Sequence, residues 1–145
     1  MPTSRQIEVL MIEDDPGDVD LMKEGLLNAK VAVNISVALN GEDAMSYLKK
    51  EGKYSGAPTP DLIFLDLNLP KKDGREVLKE VKSEKGLRHI PVIVVTTSDA
   101  EQDILRSYDL GANSYVTKPV GFGEFVKVVN TIEDFWFTIV KLPPK

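Results

Sequence analysis

Five short runs of apolar, β-branched and aromatic residues punctuate the chain, and each is followed by a stretch whose apolar residues recur at helical spacing. The runs are Ile7 to Ile12, Val33 to Leu39, Leu62 to Leu65, Pro91 to Val95 and Ser114 to Thr117. Short runs of this kind, bounded by turn residues, predict strands of a parallel sheet. The first helix is predicted at Asp15-Pro16-Gly17-Asp18, with Asp15 as N-cap, Pro16 at the first helical position and Asp18 in the first turn. Val19, Met22 and Leu26, with Leu27 beside them, give it an apolar face as far as Asn28. Asn40-Gly41 opens a second helix, Glu42 to about Glu51, with Ala44, Met45 and Leu48 inward. Gly52 to Pro60 reads as a polar loop. A third helix spans Gly74 to about Glu84 on Val77, Leu78 and Val81, and a fourth runs from about Ala100 to Leu110, stopped by Gly111. The last starts near Phe122 and continues to about Val140, before Pro143-Pro144.

Strands alternating with helices require a parallel sheet with helices on both faces, because each crossover needs a helix and is right-handed. The expectation is an α/β protein with one domain over residues 1–145 and its core at about 7–130. Its doubly wound five-stranded parallel sheet has the order 2-1-3-4-5, flavodoxin-like, and the C-terminal helix extends over about 122–140. Ligands of such sheets bind beyond the carboxyl ends of the strands, where the order reverses, which here is between the first and third. Glu13 and Asp14 end the first strand and Asp66 the third, while Thr96 ends the fourth and Lys118 follows the fifth. Asp66 alone would be an ordinary turn residue. Five polar groups on one sheet edge are a site.

Composition narrows the chemistry. Lys and Arg number 18 against 23 Asp and Glu, a net charge of −5, which argues against a nucleic-acid surface. The absence of cysteine removes disulfides, thiolate catalysis and Cys-ligated zinc. No apolar run approaches the roughly 20 residues that span a bilayer, and the N-terminus lacks a signal-peptide pattern. A cytoplasmic protein without a membrane partner is expected. Clustered carboxylates repel one another, and a hard divalent cation such as Mg²⁺ relieves that with oxygen ligands. A nucleophilic carboxylate, a metal, a hydroxyl and an ammonium together are the parts of phosphoryl transfer to an aspartate.

On these residues the stretch from about 7 to 130 resembles the receiver domain of two-component response regulators. Glu13-Asp14 resembles the family's acidic pair, Asp66 its phosphoacceptor, Thr96 its switch hydroxyl, Tyr115 its switch aromatic, and Lys118-Pro119 its lysine with the following proline. The resemblance implies that Asp66 takes a phosphoryl group from a phosphohistidine on a sensor histidine kinase, with catalytic parts for Thr96 and Lys118. It implies Mg²⁺ held by Asp14, Asp66 and the backbone carbonyl of Asn68, with Glu13 meeting the metal through water. It also implies a cis peptide bond before Pro119 that aims Lys118 at the site. The DLNLPKKDGREVL stretch, the loop before Asp61 and the FWF-bearing tail resemble single-domain regulators that pair with bacteriophytochromes. Such a protein is a signalling module rather than an enzyme. With no effector segment after residue 140, its output is expected through protein contact.

Other signals carry less. Phe135-Trp136-Phe137, then Ile139, Val140 and Leu142, leave the last helix apolar all round, past the point where a receiver has core to cover. A homodimer through these three aromatics is expected, the alternative being a tail folded back on its own domain. His89, the only histidine, reads as ordinary surface, and Lys71-Lys72 as a solvated loop available for kinase recognition. Two rivals share the sheet edge. A haloacid-dehalogenase-type phosphatase wants a second Asp where Asn68 stands, and a flavodoxin-like electron carrier wants a phosphate loop where Glu13-Asp14-Asp15 would repel one.

Overall fold

The computed structural model describes residues 6–27 and 32–144. Five parallel strands, β1 (Ile7–Ile12), β2 (Val33–Ala38), β3 (Leu62–Leu65), β4 (Val92–Thr96) and β5 (Ser114–Thr117), form one sheet in the order β2-β1-β3-β4-β5. The connecting helices are α1 (Pro16–Leu27), α2 (Gly41–Leu48), α3 (Gly74–Ser83), α4 (Glu101–Asp109) and α5 (Phe122–Asp134). Among the described residues no helix is long and apolar enough to cross a membrane.

Successive strand residues point to opposite faces, so the central strands feed two separate cores. Leu10, Ile12, Ile63, Leu65, Val92 and Val94 pack with Ala44, Met45, Leu48, Val77, Leu78 and Val81 of α2 and α3. Val9, Met11, Leu62, Phe64, Ile93 and Val95 pack with Met22 and Leu26 of α1 and with Phe125, Val129 and Ile132 of α5. This double burial is why the strands read as continuous apolar runs.

Element ends follow local chemistry. Asp15 caps α1 as expected, its Oδ1 accepting from the backbone N–H of Gly17 at 2.8 Å. Asn28, the expected end of that helix, lies outside the described residues. Asn40 caps α2 by accepting from Asp43 N–H at 2.8 Å, so β2 stops at Ala38 and Leu39 bends out to 54% exposure. That helix ends at Leu48 rather than near Glu51, and a single 3₁₀ turn, Gly52–Tyr54, occupies the start of the loop that follows. At Gly111 a φ of 106° ends α4 in a conformation that glycine adopts without a Cβ penalty.

The C-terminal helix departs furthest from expectation. After Asp134 it widens into a π-helical turn, Phe135–Ile139, closed by Val140 N–H on the Phe135 carbonyl at 3.0 Å. The buried residues Phe125, Val129 and Ile132 recur at α spacing, and the wider turn brings Phe137 onto the same line. Phe137 is 8% exposed within the α1/α5 core, with Trp136 and Leu142 packed against it. The domain therefore does have core left to cover here, and Phe137 covers it. Phe135 and Ile139 stay at the surface, 49% and 66% exposed.

Candidate functional site

Register builds the site. Ile12 lies opposite Leu65 across β1 and β3, so the next residues, Glu13 and Asp66, leave the sheet side by side. The Asp66 N–H donates to the Ile12 carbonyl at 3.0 Å, continuing the ladder one step past the strand. Behind Asp66 the chain turns back so tightly that a Cβ on Gly74 would stand 2.3 Å from the Asp66 carbonyl oxygen. Only glycine fits there, and the site backbone is pinned by that approach.

Asp66 is buried, and both of its oxygens have donors. Its Oδ1 accepts from the Thr96 hydroxyl at 2.9 Å and the Asn68 N–H at 3.2 Å, and its Oδ2 from the Lys118 ammonium at 3.1 Å. Thr96, at the end of β4, is fully buried. Asp14 is exposed at the mouth of the site, and ligand oxygens of Glu13, Asp14 and Asp66 lie within 4.8 Å of one another. Hard oxygen donors this close, carrying more negative charge than one ammonium cancels, are a donor set that suits a divalent cation.

Lys118 is the hub. Its Nζ meets Glu13 Oε1 at 2.5 Å, Asp18 Oδ2 at 2.7 Å and Asp66 Oδ2 at 3.1 Å. Burial alone would push the ammonium's pKa down, but hydrogen bonds to Asp18 and Glu13 and the charge of Asp66 outweigh it, holding Lys118 above the usual lysine range. Glu13 goes the other way. Burial, reinforced by the Asp66 charge, pushes its carboxyl up to about 7, although Lys118 opposes the rise. The two shifts agree physically, because one cation divided among three acids cannot keep all of them ionised cheaply.

The expected cis bond before Pro119 is absent. No cis peptide bond occurs among the described residues. Lys118 reaches the site on a trans backbone, because its N–H donates to the Thr96 carbonyl at 2.7 Å and extends the β4/β5 pairing to the sheet edge.

Tyr115 sits half-buried on β5, its hydroxyl donating to the Ser98 carbonyl at 2.8 Å in the loop after Thr96. Ser98 in turn donates to Asp103 at 2.6 Å, and Arg75 pairs with the other Asp103 oxygen at 2.8 Å. Tyr115, the loop after Thr96, α4 and α3 are thus joined by polar contacts. His89 is exposed. Lys71 is exposed, but Lys72 is tied to Glu80 at 2.5 Å and is less solvated than expected.

Sequence reasoning placed Glu13, Asp14, Asp66, Thr96 and Lys118 at one edge, and the structure brings them together. It overlooked Asp18, whose position in the first turn of a helix explains an acid there without any site. The usable signal was that this turn begins directly behind the acidic pair. It overlooked Arg75 and Asp103 as well, since nothing in their spacing tells which helices face each other.

Comparison with known proteins agrees with this geometry. Residues 9–130 match the family described as the response regulator receiver domain. The chain is 44% identical over 135 residues to the Response regulator Rcp1 of Synechocystis sp. (strain ATCC 27184 / PCC 6803 / Kazusa), covering 93% of this chain and 92% of that protein. The crystal structure of the phosphorylated cyanobacterial phytochrome response regulator RcpA superposes with a TM-score of 0.94 at 45% identity, over 97% of this chain and 100% of that one. The Mn(2+)-bound form of Rcp1 gives a TM-score of 0.92 at 43% identity, over 95% and 99%.

Proposed function

The chain belongs to the response regulator receiver family, and from that premise we propose that it accepts a phosphoryl group on Asp66 from a sensor histidine kinase. The observation that carries the proposal is the Asp66 carboxylate itself. It is buried, bonded to the Thr96 hydroxyl and the Lys118 ammonium, and beside two further acids. A carboxylate so placed is rigid, oriented and surrounded by groups that bind a phosphoryl group in transit.

In the transfer step an Asp66 oxygen bonds to phosphorus as the phosphorus–nitrogen bond of the kinase phosphohistidine breaks. The electron pair leaves on the imidazole nitrogen, which takes a proton. We assign Oδ2 as the attacking oxygen, since it has a single protein donor, the Lys118 ammonium, whereas Oδ1 is held by both Thr96 and Asn68. Lys118 offsets charge on the transferred group. Asp14, Asp66 and the Asn68 carbonyl would hold Mg²⁺, with Glu13 reaching it through water. When bound, the ion neutralises the acids and polarises the phosphoryl oxygens. Self-catalysed transfer and hydrolysis are the only chemistry assigned, so the protein is a cytoplasmic switch and not an enzyme.

Thr96 and Tyr115 form the switch in this proposal. A new phosphoryl oxygen draws the Thr96 hydroxyl from Oδ1, and the loop that carries Ser98 follows, changing the seat of the Tyr115 hydroxyl. Output runs through protein contact, including a homodimer on the C-terminal helix. Phe135 and Ile139 supply its exposed apolar surface, Trp136 flanks it, and Phe137 supports it from within. The similarity to regulators named for phytochromes supports a phytochrome-type histidine kinase as the donor. Phosphotransfer from a panel of radiolabelled histidine kinases tests the proposal, with Asp66→Asn as control. Label is expected on the unchanged protein, from a phytochrome-type kinase first, and not on the variant.

A further inference from the structure

Of the three carboxylates that hold Lys118, one stands apart. Glu13 and Asp66 belong to the acidic cluster that suits a cation, and Asp18 does not. An ammonium has three N–H donors, and each has one carboxylate here. When a cation and a phosphoryl group engage Glu13 and Asp66, those two acids are drawn toward other charges. Asp18 alone keeps an uncommitted carboxylate on the ammonium.

The ordinary explanation of Asp18 is an acid in the first turn of α1, favoured by the helix dipole. That explanation accounts for an acid at the position but not for its aim. Its Oδ2 lies 2.7 Å from a lysine 100 residues away, and the lysine side chain is 5% exposed. An acid that served the dipole alone would turn its carboxylate to water. Lysine also has a flexible four-carbon stem with no built-in directionality, so a second anchor decides where its charge rests.

We propose that Asp18 is a positioning residue for phosphoryl transfer, holding the Lys118 ammonium over Asp66 while Glu13 and Asp66 are occupied. The proposal rests on the reading of Asp66 as phosphoacceptor. Asp18 touches no reacting atom and acts through Lys118.

The test uses the full chain with acetyl phosphate and Mg²⁺, comparing the unchanged protein with Asp18→Asn and Asp18→Glu. Asp18→Asn should slow phosphorylation at saturating acetyl phosphate on the order of tenfold, with the half-saturating concentration nearly unchanged. Asp18→Glu keeps a carboxylate and should recover most of the rate. Without any phosphodonor, the ¹⁵N-resolved ammonium signal of Lys118 should be sharp in the unchanged protein and broadened by exchange with water in Asp18→Asn. A drop in melting temperature with rate and ammonium signal unaltered would mean that Asp18 serves the helix only, and would overturn the proposal. Failure of the unchanged protein to be phosphorylated would instead sink the phosphoacceptor reading, and this role with it.

Discussion

Thr96 donates its hydroxyl to Asp66 Oδ1 at 2.9 Å, and neither side chain has appreciable contact with water. A bond in so dry a place is worth more than its surface equivalent, and its loss leaves a buried acceptor short of a donor. Thr96→Val keeps the shape and removes the donor. It should cost about 1–3 kcal/mol of stability, read by urea denaturation, and slow phosphorylation of Asp66. Thr96→Ser should restore both. A Thr96→Val protein as stable and as reactive as the parent would show that the hydroxyl is idle.

Glu13 predicts a pH dependence. Its carboxyl, ordinarily near 4.5, is pushed up to about 7 by burial, so between those values the folded protein holds a proton that the unfolded chain has released. The folded state binds more protons there, and stability falls as pH rises through the window, by about 3 kcal/mol at most. In EDTA, Glu13→Gln should therefore gain melting temperature over the parent at pH 8 and little at pH 5. Mg²⁺ should narrow the gap at pH 8. A difference that does not change with pH would contradict the buried-carboxyl account.

Removing Lys118 leaves three acids facing one another. Lys118→Met should lose on the order of 3–5 kcal/mol, the usual cost of stripping one partner from a buried ionic cluster. Mg²⁺ should return part of that loss, since two of the three acids, Glu13 and Asp66, belong to the acidic cluster that suits a cation, and thermal melts with and without the ion decide it. If the ion stabilises the variant no more than the parent, the acids do not converge on a cation.

The Arg75–Asp103 pair is partly exposed, with side chains 25% and 19% accessible, and its direct contribution should be small. A double-mutant cycle on Arg75→Ala and Asp103→Ala should give a coupling of about 0.5–1 kcal/mol. The Tyr115 ring resonances should shift in either single variant, because Asp103 holds Ser98 and Ser98 holds the Tyr115 hydroxyl. Unmoved Tyr115 signals would break that chain of contacts.

In the C-terminal helix two neighbouring aromatics should behave oppositely. Phe137→Ala should cost about 3–5 kcal/mol as a core truncation, while Phe135→Ala should leave the melting temperature nearly unchanged. Sedimentation should show Phe135→Ala shifting any dimer of the parent toward monomer. A monomeric parent at tens of micromolar, with and without phosphorylation, would remove the dimer.

Much of this is legible in the sequence, for a physical reason. Strands buried on both faces must be apolar throughout, so β1, β3 and β4 announce themselves, and parallel connections put Glu13, Asp66 and Thr96 at the same ends. Asp18 stayed hidden because its partner is 100 residues away and an acid in a first turn needs no other reason. The burial of Phe137 was equally hidden, since it depends on one extra residue in a π turn that nothing in FWFTI marks. The trans bond at Lys118–Pro119 reversed an expectation taken from resemblance rather than from the residues.

Every role proposed for this site requires that Asp66 is the residue that becomes phosphorylated. The most direct measurement is intact-mass and peptide mass spectrometry after incubation with acetyl phosphate and Mg²⁺, trapping the acyl phosphate by borohydride reduction. The intact mass of the unchanged protein should rise by one phosphoryl group, borohydride should then expel phosphate and convert Asp66 to homoserine, and neither change should occur in Asp66→Asn or in samples with EDTA. No mass gain in the unchanged protein, or a reduced side chain found at another residue, would show that Asp66 is not the acceptor.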